Sequence, residues 1–198
     1  MSDEGLDALF AGHSVLAILR GMPVDTTVAL AERAWELGVT TIEVPARDEA
    51  GLEALRATVR AGAERGHPVG AGTVIDTEQV HAVARAGAAF TVAPGFDAEV
   101  MAVSEAAGLP HLPGVATPSD IQGVLKAGGH WVKAFPATAL GTEWFRAMRG
   151  PFPDVRIVAT GGMDAHNARE YLDAGARMVA VGSALADPDQ IPLLAELL

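Results

Sequence analysis

The chain has 198 residues, 49% hydrophobic and 20% charged, which suits one globular domain with a sizeable core. Its net charge of −11, with the basic residues scattered singly, argues against nucleic acid and against an anionic membrane surface as partners. There is no cysteine, which removes disulfides and thiolate metal sites. The acidic start, MSDEGLDALFAGH, is unlike a signal peptide, and every apolar run is too short to span a bilayer, so a cytoplasmic protein is expected.

From there the sequence alternates short apolar runs with longer amphipathic ones. SVLAIL (14–19) reads as a strand and TTVALAERAWELG (26–38) as a helix stopping at Gly. TTIEV (40–44) precedes GLEALRATVRAGAERG (51–66), and PVGAGTV (68–74) precedes TEQVHAVARAG (77–87). FTVAP (90–94) is followed by DAEVMAVSEAAG (97–108), and PHLPGV (110–115) by PSDIQGVLKAGG (118–129). WVKAFP (131–136) leads to TEWFRAMRG (142–150), VRIVAT (155–160) to DAHNAREYLDAG (164–175), and RMVAVG (177–182) to a last helix. The strands are apolar throughout, as strands covered on both faces must be. Roughly eight such units in a row predict a small α/β fold, a (β/α)8 TIM barrel formed by one domain over 1–198. An open doubly wound sheet is the alternative, but no G-x-G-x-x-G follows the first strand.

In a barrel, chemistry sits where strands end. Of the 14 basic residues only Lys126 and Lys133 are lysines, an imbalance that Arg-rich codon usage explains but that makes a lysine in an apolar strand conspicuous. On an alternating strand Trp131, Lys133 and Phe135 share one face, predicted to point inward, while Val132 and Ala134 lie under the helices. A lysine flanked by aromatics is partly desolvated, and burial favours the neutral amine that adds to a carbonyl. Snorkelling from a strand end is the competing explanation.

Glu43 ends the second strand on the face of Thr41, and a carboxylate at the mouth of an apolar barrel can move protons. Arg47, in the following loop, can fork onto a substrate carboxylate; a structural ion pair between these residues is the plainer alternative. Thr73 follows small residues in GAGTV that let backbone approach a ligand. Pro94–Gly95 and Pro113–Gly114 read as ordinary turn pairs. Turns after the last two strands, in VATGGM (158–163) and VAVGSAL (179–185), offer backbone N–H groups near helix N-termini as an anion site. The six histidines show no ligand spacing. His81 and His166 read as solvated helix positions, and His111 as a residue that might face the barrel; no metal is inferred.

Together these strings resemble the 2-keto-3-deoxy-6-phosphogluconate (KDPG) aldolase family, which also covers 4-hydroxy-2-oxoglutarate (KHG) aldolase activity and a related 6-phosphogalactonate enzyme. The matching segments are AILRG (17–21), IEVPAR (42–47), GAGTV (70–74), APG (93–95), PGVATPSD (113–120), VKAFPA (132–137), ATGG (159–162) and VGS (181–183), spread over almost the whole chain. The resemblance implies a cofactor-free, metal-free class I aldolase, typically a homotrimer, acting on a small phosphorylated 2-keto acid. It places the Schiff-base lysine on Lys133 and the acid–base glutamate on Glu43. The keto-acid carboxylate falls to Arg47 and Thr73, and the phosphate to Thr160, Gly161, Gly162, Gly182 and Ser183. Phe135 matches a pocket residue beside the lysine, and Pro94 falls in the matching APG. Pro45 and Arg20 resemble the galactonate branch, where the arginine lies near the substrate carboxylate; Arg47 resembles the gluconate branch. The stereochemistry of the sugar acid therefore stays open between the two, and a non-aldolase sugar-phosphate enzyme or sensor on the same barrel is the more distant reading.

Overall fold

The computed structural model describes residues 2–187 and 189–198. The strands are β1 (Val15–Ile18), β2 (Ile42–Pro45), β3 (Val69–Gly72), β4 (Thr91–Val92), β5 (His111–Leu112), β6 (Gly114–Val115), β7 (Trp131–Ala134), β8 (Arg156–Thr160) and β9 (Met178–Val181). All pairs are parallel, in the order β5-β4-β3-β2-β1-β9-β8-β7-β6. The two ends of that order, β5 and β6, are successive halves of one run broken at Pro113, which has no N–H to give to a ladder. On one side of this run Thr91 N–H bonds Pro110 O (2.9 Å) and Ala93 N–H bonds Leu112 O (3.0 Å). On the other side Lys133 N–H bonds Pro113 O (2.8 Å) and Phe135 N–H bonds Val115 O (3.1 Å). The sheet thus closes with eight wall segments, as the sequence pattern predicts.

The helices between strands are α2 (Val24–Glu36), α3 (Glu49–Arg65), α4 (Thr77–Arg85), α5 (Ala98–Ala106), α6 (Pro118–Lys126), α7 (Ala137–Leu140), α8 (Thr142–Arg149) and α9 (Ala168–Asp173), with α10 (Ile191–Ala195) last. Side-chain caps fix several of the loop-to-helix turns. Asp48, Asp76 and Asp97 each accept backbone N–H groups at a helix start, and Thr117 with Asp120 forms a capping box. Gly66 closes α3 in the left-handed conformation, φ 73°, where a glycine carries no Cβ penalty.

Two buried apolar sets follow from the period-2 strands. Val132, Ala134, Ile42, Val44, Val179 and Val181 belong to the layer under the helices. Leu16, Ile18, Phe90, Val92, Leu112, Trp131, Val158, Met178 and Ala180 form a separate set inside the barrel. An element absent from the sequence reading joins this inner set: α1 (Ser2–Phe10), whose Leu6 and Phe10 close the barrel floor. The Phe10 ring meets Phe90 and Trp131 edge-on at 5.4 and 5.1 Å, and the Trp131 indole N–H donates to Asp7 (2.8 Å).

The helix expected over 164–175 is shorter. Asp164 Oδ1 accepts the N–H groups of His166 (2.9 Å) and Asn167 (3.0 Å), folding 164–167 into a turn so that α9 starts at Ala168. His166 therefore sits exposed in this turn and not in a helix.

Candidate active site

The alternation of β7 places Lys133 two residues above Trp131 on the inner face, and that of β2 places Glu43 beside it. Both side chains are buried, at 4% and 1% exposure. Lys133 Nζ lies 3.7 Å from Glu43 Oε1, close enough for charge attraction but beyond a hydrogen bond. Glu43 Oε1 has no hydrogen-bond partner. A buried carboxylate oxygen with an unused lone pair is costly unless something comes to occupy it. The Lys133 ammonium position also lies 5.7 Å from the Phe135 ring centroid, so the aromatic shelters the head of the lysine.

The small residues of GAGTV act differently from the sequence expectation of letting backbone approach a ligand. A Cβ at Gly70 would run into the Phe90 ring, and one at Gly72 into the Glu43 carboxylate. These glycines are slots: the lower one is filled by the barrel core, the upper one by the acid itself. Gly114 is likewise a wall position and not a turn residue, in register with Lys133 and without room for a Cβ beside the Pro94 carbonyl. Thr73 stands directly above this wall with φ 61°, a conformation non-glycine residues rarely take.

Over the pair opens a cleft of about 690 Å³, lined among others by Arg20, Arg47, Thr73, Pro94, Lys133 and Phe135. All six were candidates from sequence, and the fold brings them to one mouth. A second cleft of about 430 Å³ adjoins it, lined by Thr160, Gly161, Gly162 and Gly182 together with Ile18 and Met163. Arg20, Met22 and Phe135 line both. Arg20, placed near a carboxylate by the resemblance, thus stands between the clefts and can face an anion in either. Met22 was missed, although its place just after the first strand would have flagged it. Thr160 is buried at 2% exposure and its Oγ1 has no partner. The Ser183 side chain lies outside the described residues. The helix following the 160–162 turn has only six residues and begins at Ala168, so beside Arg20 this turn offers an anion individual loop N–H groups and not a helix dipole.

His111 does not face the barrel interior. Its Nδ1 lies 2.8 Å from Thr91 Oγ1, which lies 2.6 Å from Ser104 Oγ on α5, and Ser104 donates to Leu109 O (2.9 Å). Burial pushes the imidazole down from 6.5 to about 4, against a smaller upward pull from Asp97. It is a neutral wall residue. Among the described residues no three His, Asp or Glu side chains cluster as a metal site.

A lysine and a carboxylate paired at the mouth of a parallel barrel, beneath an arginine-flanked cleft, is the arrangement the resemblance requires. The model of the KDPG and KHG aldolase family matches residues 6–193. The chain belongs to that family. It is 32% identical over 172 residues to the 2-dehydro-3-deoxy-6-phosphogalactonate aldolase of Escherichia coli, covering 86% of this chain and 83% of that one. It is 37% identical over 168 residues to the 2-dehydro-3-deoxy-phosphogluconate aldolase of Treponema pallidum, covering 84% and 79%. Among solved structures it matches the KDPG aldolase of Legionella pneumophila with pyruvate captured as a covalent carbinolamine, with a TM-score of 0.84, 31% identity, and 96% and 94% coverage. This chain is accordingly an aldolase, a carbon–carbon lyase of the Schiff-base type.

Proposed function

We propose that Lys133 and Glu43 carry out reversible cleavage of 2-dehydro-3-deoxy-6-phosphogluconate to pyruvate and glyceraldehyde 3-phosphate, with cleavage of 4-hydroxy-2-oxoglutarate to pyruvate and glyoxylate as a second activity. The observation that supports this reading best is the buried Lys133–Glu43 pair with its unsatisfied carboxylate oxygen. The Lys133 amine adds to the C2 ketone, and loss of water gives an iminium that acts as electron sink. Glu43, directly or through a water, takes the C4 hydroxyl proton as the C3–C4 bond breaks, and the bond electrons pass into an enamine. The aldehyde leaves, Glu43 returns a proton to C3, and hydrolysis of the imine frees pyruvate. Arg47 and Thr73 hold the keto-acid carboxylate in the first cleft. Thr160, Gly161, Gly162, Gly182 and Ser183 hold the phosphate in the second, with Arg20 between them and Pro94 and Phe135 as walls.

Pro45 and Arg20, which resemble the galactonate branch and both line the first cleft, support the phosphogalactonate isomer as the alternative substrate. The same resemblance supports a cytoplasmic homotrimer of one barrel domain per chain; Ile75, 56% exposed, is an apolar side chain such an interface would cover. Light scattering of the purified chain reads the trimer directly as three chain masses.

The deciding experiment compares steady-state cleavage of the gluconate, galactonate and hydroxyoxoglutarate substrates in the natural protein and in Gly162→Val. Gly162 has φ 75°, and a Cβ there would meet Thr138 at 2.5 Å, so valine displaces the loop. KM for the phosphorylated substrates is expected to rise strongly, and cleavage of unphosphorylated hydroxyoxoglutarate to change little. Equal loss on both removes the loop from phosphate binding. EDTA is expected to leave all activities unchanged; loss with chelator would reopen metal-assisted chemistry.

A further inference from the structure

The turn that begins the second cleft is held from behind. Gly161 O accepts the N–H of Thr138 (3.2 Å) and its hydroxyl (3.2 Å). Gly162 O accepts from the Asn167 side-chain amide (2.8 Å). The orientation of that amide is fixed, because its other end, Oδ1, accepts the Asp164 N–H (3.1 Å), and a flipped amide would set oxygen against a carbonyl. Asp164 in turn holds the Asn167 backbone N–H (3.0 Å). Thr138 and Asn167 line neither cleft, whereas Gly161, Gly162 and Met163 all line the second.

In a planar trans peptide the C=O of one residue and the N–H of the next point in opposite directions. Anchoring Gly161 O on Thr138 therefore turns the Gly162 N–H the other way, toward the cleft. Anchoring Gly162 O on Asn167 does the same for the Met163 N–H. Neither N–H is donated to an acceptor among the described residues. Without the anchors, the same peptides could turn their carbonyls to the anion, and a carbonyl there repels phosphate where an N–H binds it.

We infer that Asn167 is a positioning residue for the phosphate subsite: its amide clamps the Gly162 carbonyl so that the Met163 N–H, beside that of Gly162, stays aimed at the phosphate of the substrate. The inference rests on the reading of the second cleft as the phosphate site. It adds Asn167, which does not come from the strand-end pattern, and singles out the Met163 N–H within the 158–163 turn.

The test uses Asn167→Ala, which removes the clamp without adding charge, and Asn167→Asp, which keeps the acceptor for Asp164 N–H but cannot donate to Gly162 O. Three readouts are taken: kcat and KM for the phosphorylated sugar acid, the same for 4-hydroxy-2-oxoglutarate, and the inhibition constant of inorganic phosphate. Loss of one oriented donor is expected to raise KM for the phosphorylated substrate about tenfold in Asn167→Ala, and more in Asn167→Asp. The inhibition constant for phosphate rises by the same factor, while kcat and both constants for hydroxyoxoglutarate stay within about twofold. Equal loss on both substrates with a lowered Tm marks Asn167 as a structural turn residue and overturns the inference. If Gly162→Val separates the substrates while both Asn167 variants match the natural protein, the clamp is wrong and the phosphate site stands. If phosphate does not inhibit the natural protein and Gly162→Val treats the substrates alike, the phosphate-site reading falls and the clamp with it.

Discussion

The floor and the mouth of this barrel are built by the same strands, two residues apart, and they obey opposite rules. At the floor, Leu16, Phe90, Trp131, Val158 and Met178 meet α1 in a filled core, and the indole N–H of Trp131 has its acceptor in Asp7. The Thr41 hydroxyl is the exception there, buried without a partner. At the mouth, Glu43 Oε1 and Thr160 Oγ1 are buried and unpaired, Lys133 has a carboxylate at 3.7 Å, and Thr73 holds a left-handed backbone. Floor residues lower the free energy of the fold; mouth residues hold polar groups ready for a ligand, at a cost in stability that the floor offsets. One step of the period-2 pattern separates the two roles, as Trp131 and Lys133 show on a single strand.

The comparison breaks most visibly at Glu43. Glu43→Gln keeps shape and polarity but cannot shuttle protons. Deuterium exchange into the pyruvate methyl group, followed by NMR, should fall by about 10²–10⁴-fold, while part of the imine formation survives. The thermal midpoint should fall, because the variant leaves buried Lys133 without the carboxylate that faces it. Natural exchange rates in this variant would remove Glu43 from the mechanism.

Phe10→Ala probes the floor. Truncating this buried ring, 1% exposed, should destabilise the fold by about 3–5 kcal/mol, measured by urea unfolding. The folded fraction should still cleave substrate, because Phe10 packs against Trp131 in the inner apolar set and lines neither cleft. A large fall in kcat per folded molecule would mean that floor and mouth are not separable.

The outer face of the wall supplies a third, pH-dependent contrast. His111 is buried yet bonded to Thr91, with Ser104 and Asp97 on the facing helix side, and its imidazole is held down at about 4 against 6.5 when unfolded. Below 6.5 the unfolded chain takes up the proton first. This contribution to stability is therefore complete above pH 6.5 and is lost as pH falls toward about 4. The loss amounts to about 3 kcal/mol by linkage. His111→Gln should flatten this slope in unfolding curves taken across that window. An unchanged slope would assign the acid sensitivity to other groups.

Much of this was legible in sequence because barrels impose simple periodicities. Alternation in WVKAFP and TTIEV is enough to set Lys133 and Glu43 inward, and the strand-end rule finds Arg47, Thr73 and Gly161 without knowledge of contacts, whereas Arg20 comes only from the family resemblance. What stayed hidden depends on partners far along the chain. Helix α1 has too short an apolar stripe to announce itself, since Leu6 and Phe10 acquire meaning only against Phe90 and Trp131. Gly72 read as a ligand approach because nothing local says that Glu43, some thirty residues earlier, lies over it. Asn167 read as part of a helix because the periodic pattern continues through it, while the Asp164 side chain diverts the backbone N–H groups into a turn.

The central claim is that Lys133 forms the imine. Incubating the protein with pyruvate and borohydride, then digesting it and reading the peptides by mass spectrometry, tests that claim directly. The expected result is one stable adduct on Lys133, absent from Lys133→Ala, which should also lose cleavage activity while keeping a folded barrel. An adduct on Lys126, or none on a protein that still cleaves its substrate, would contradict the account.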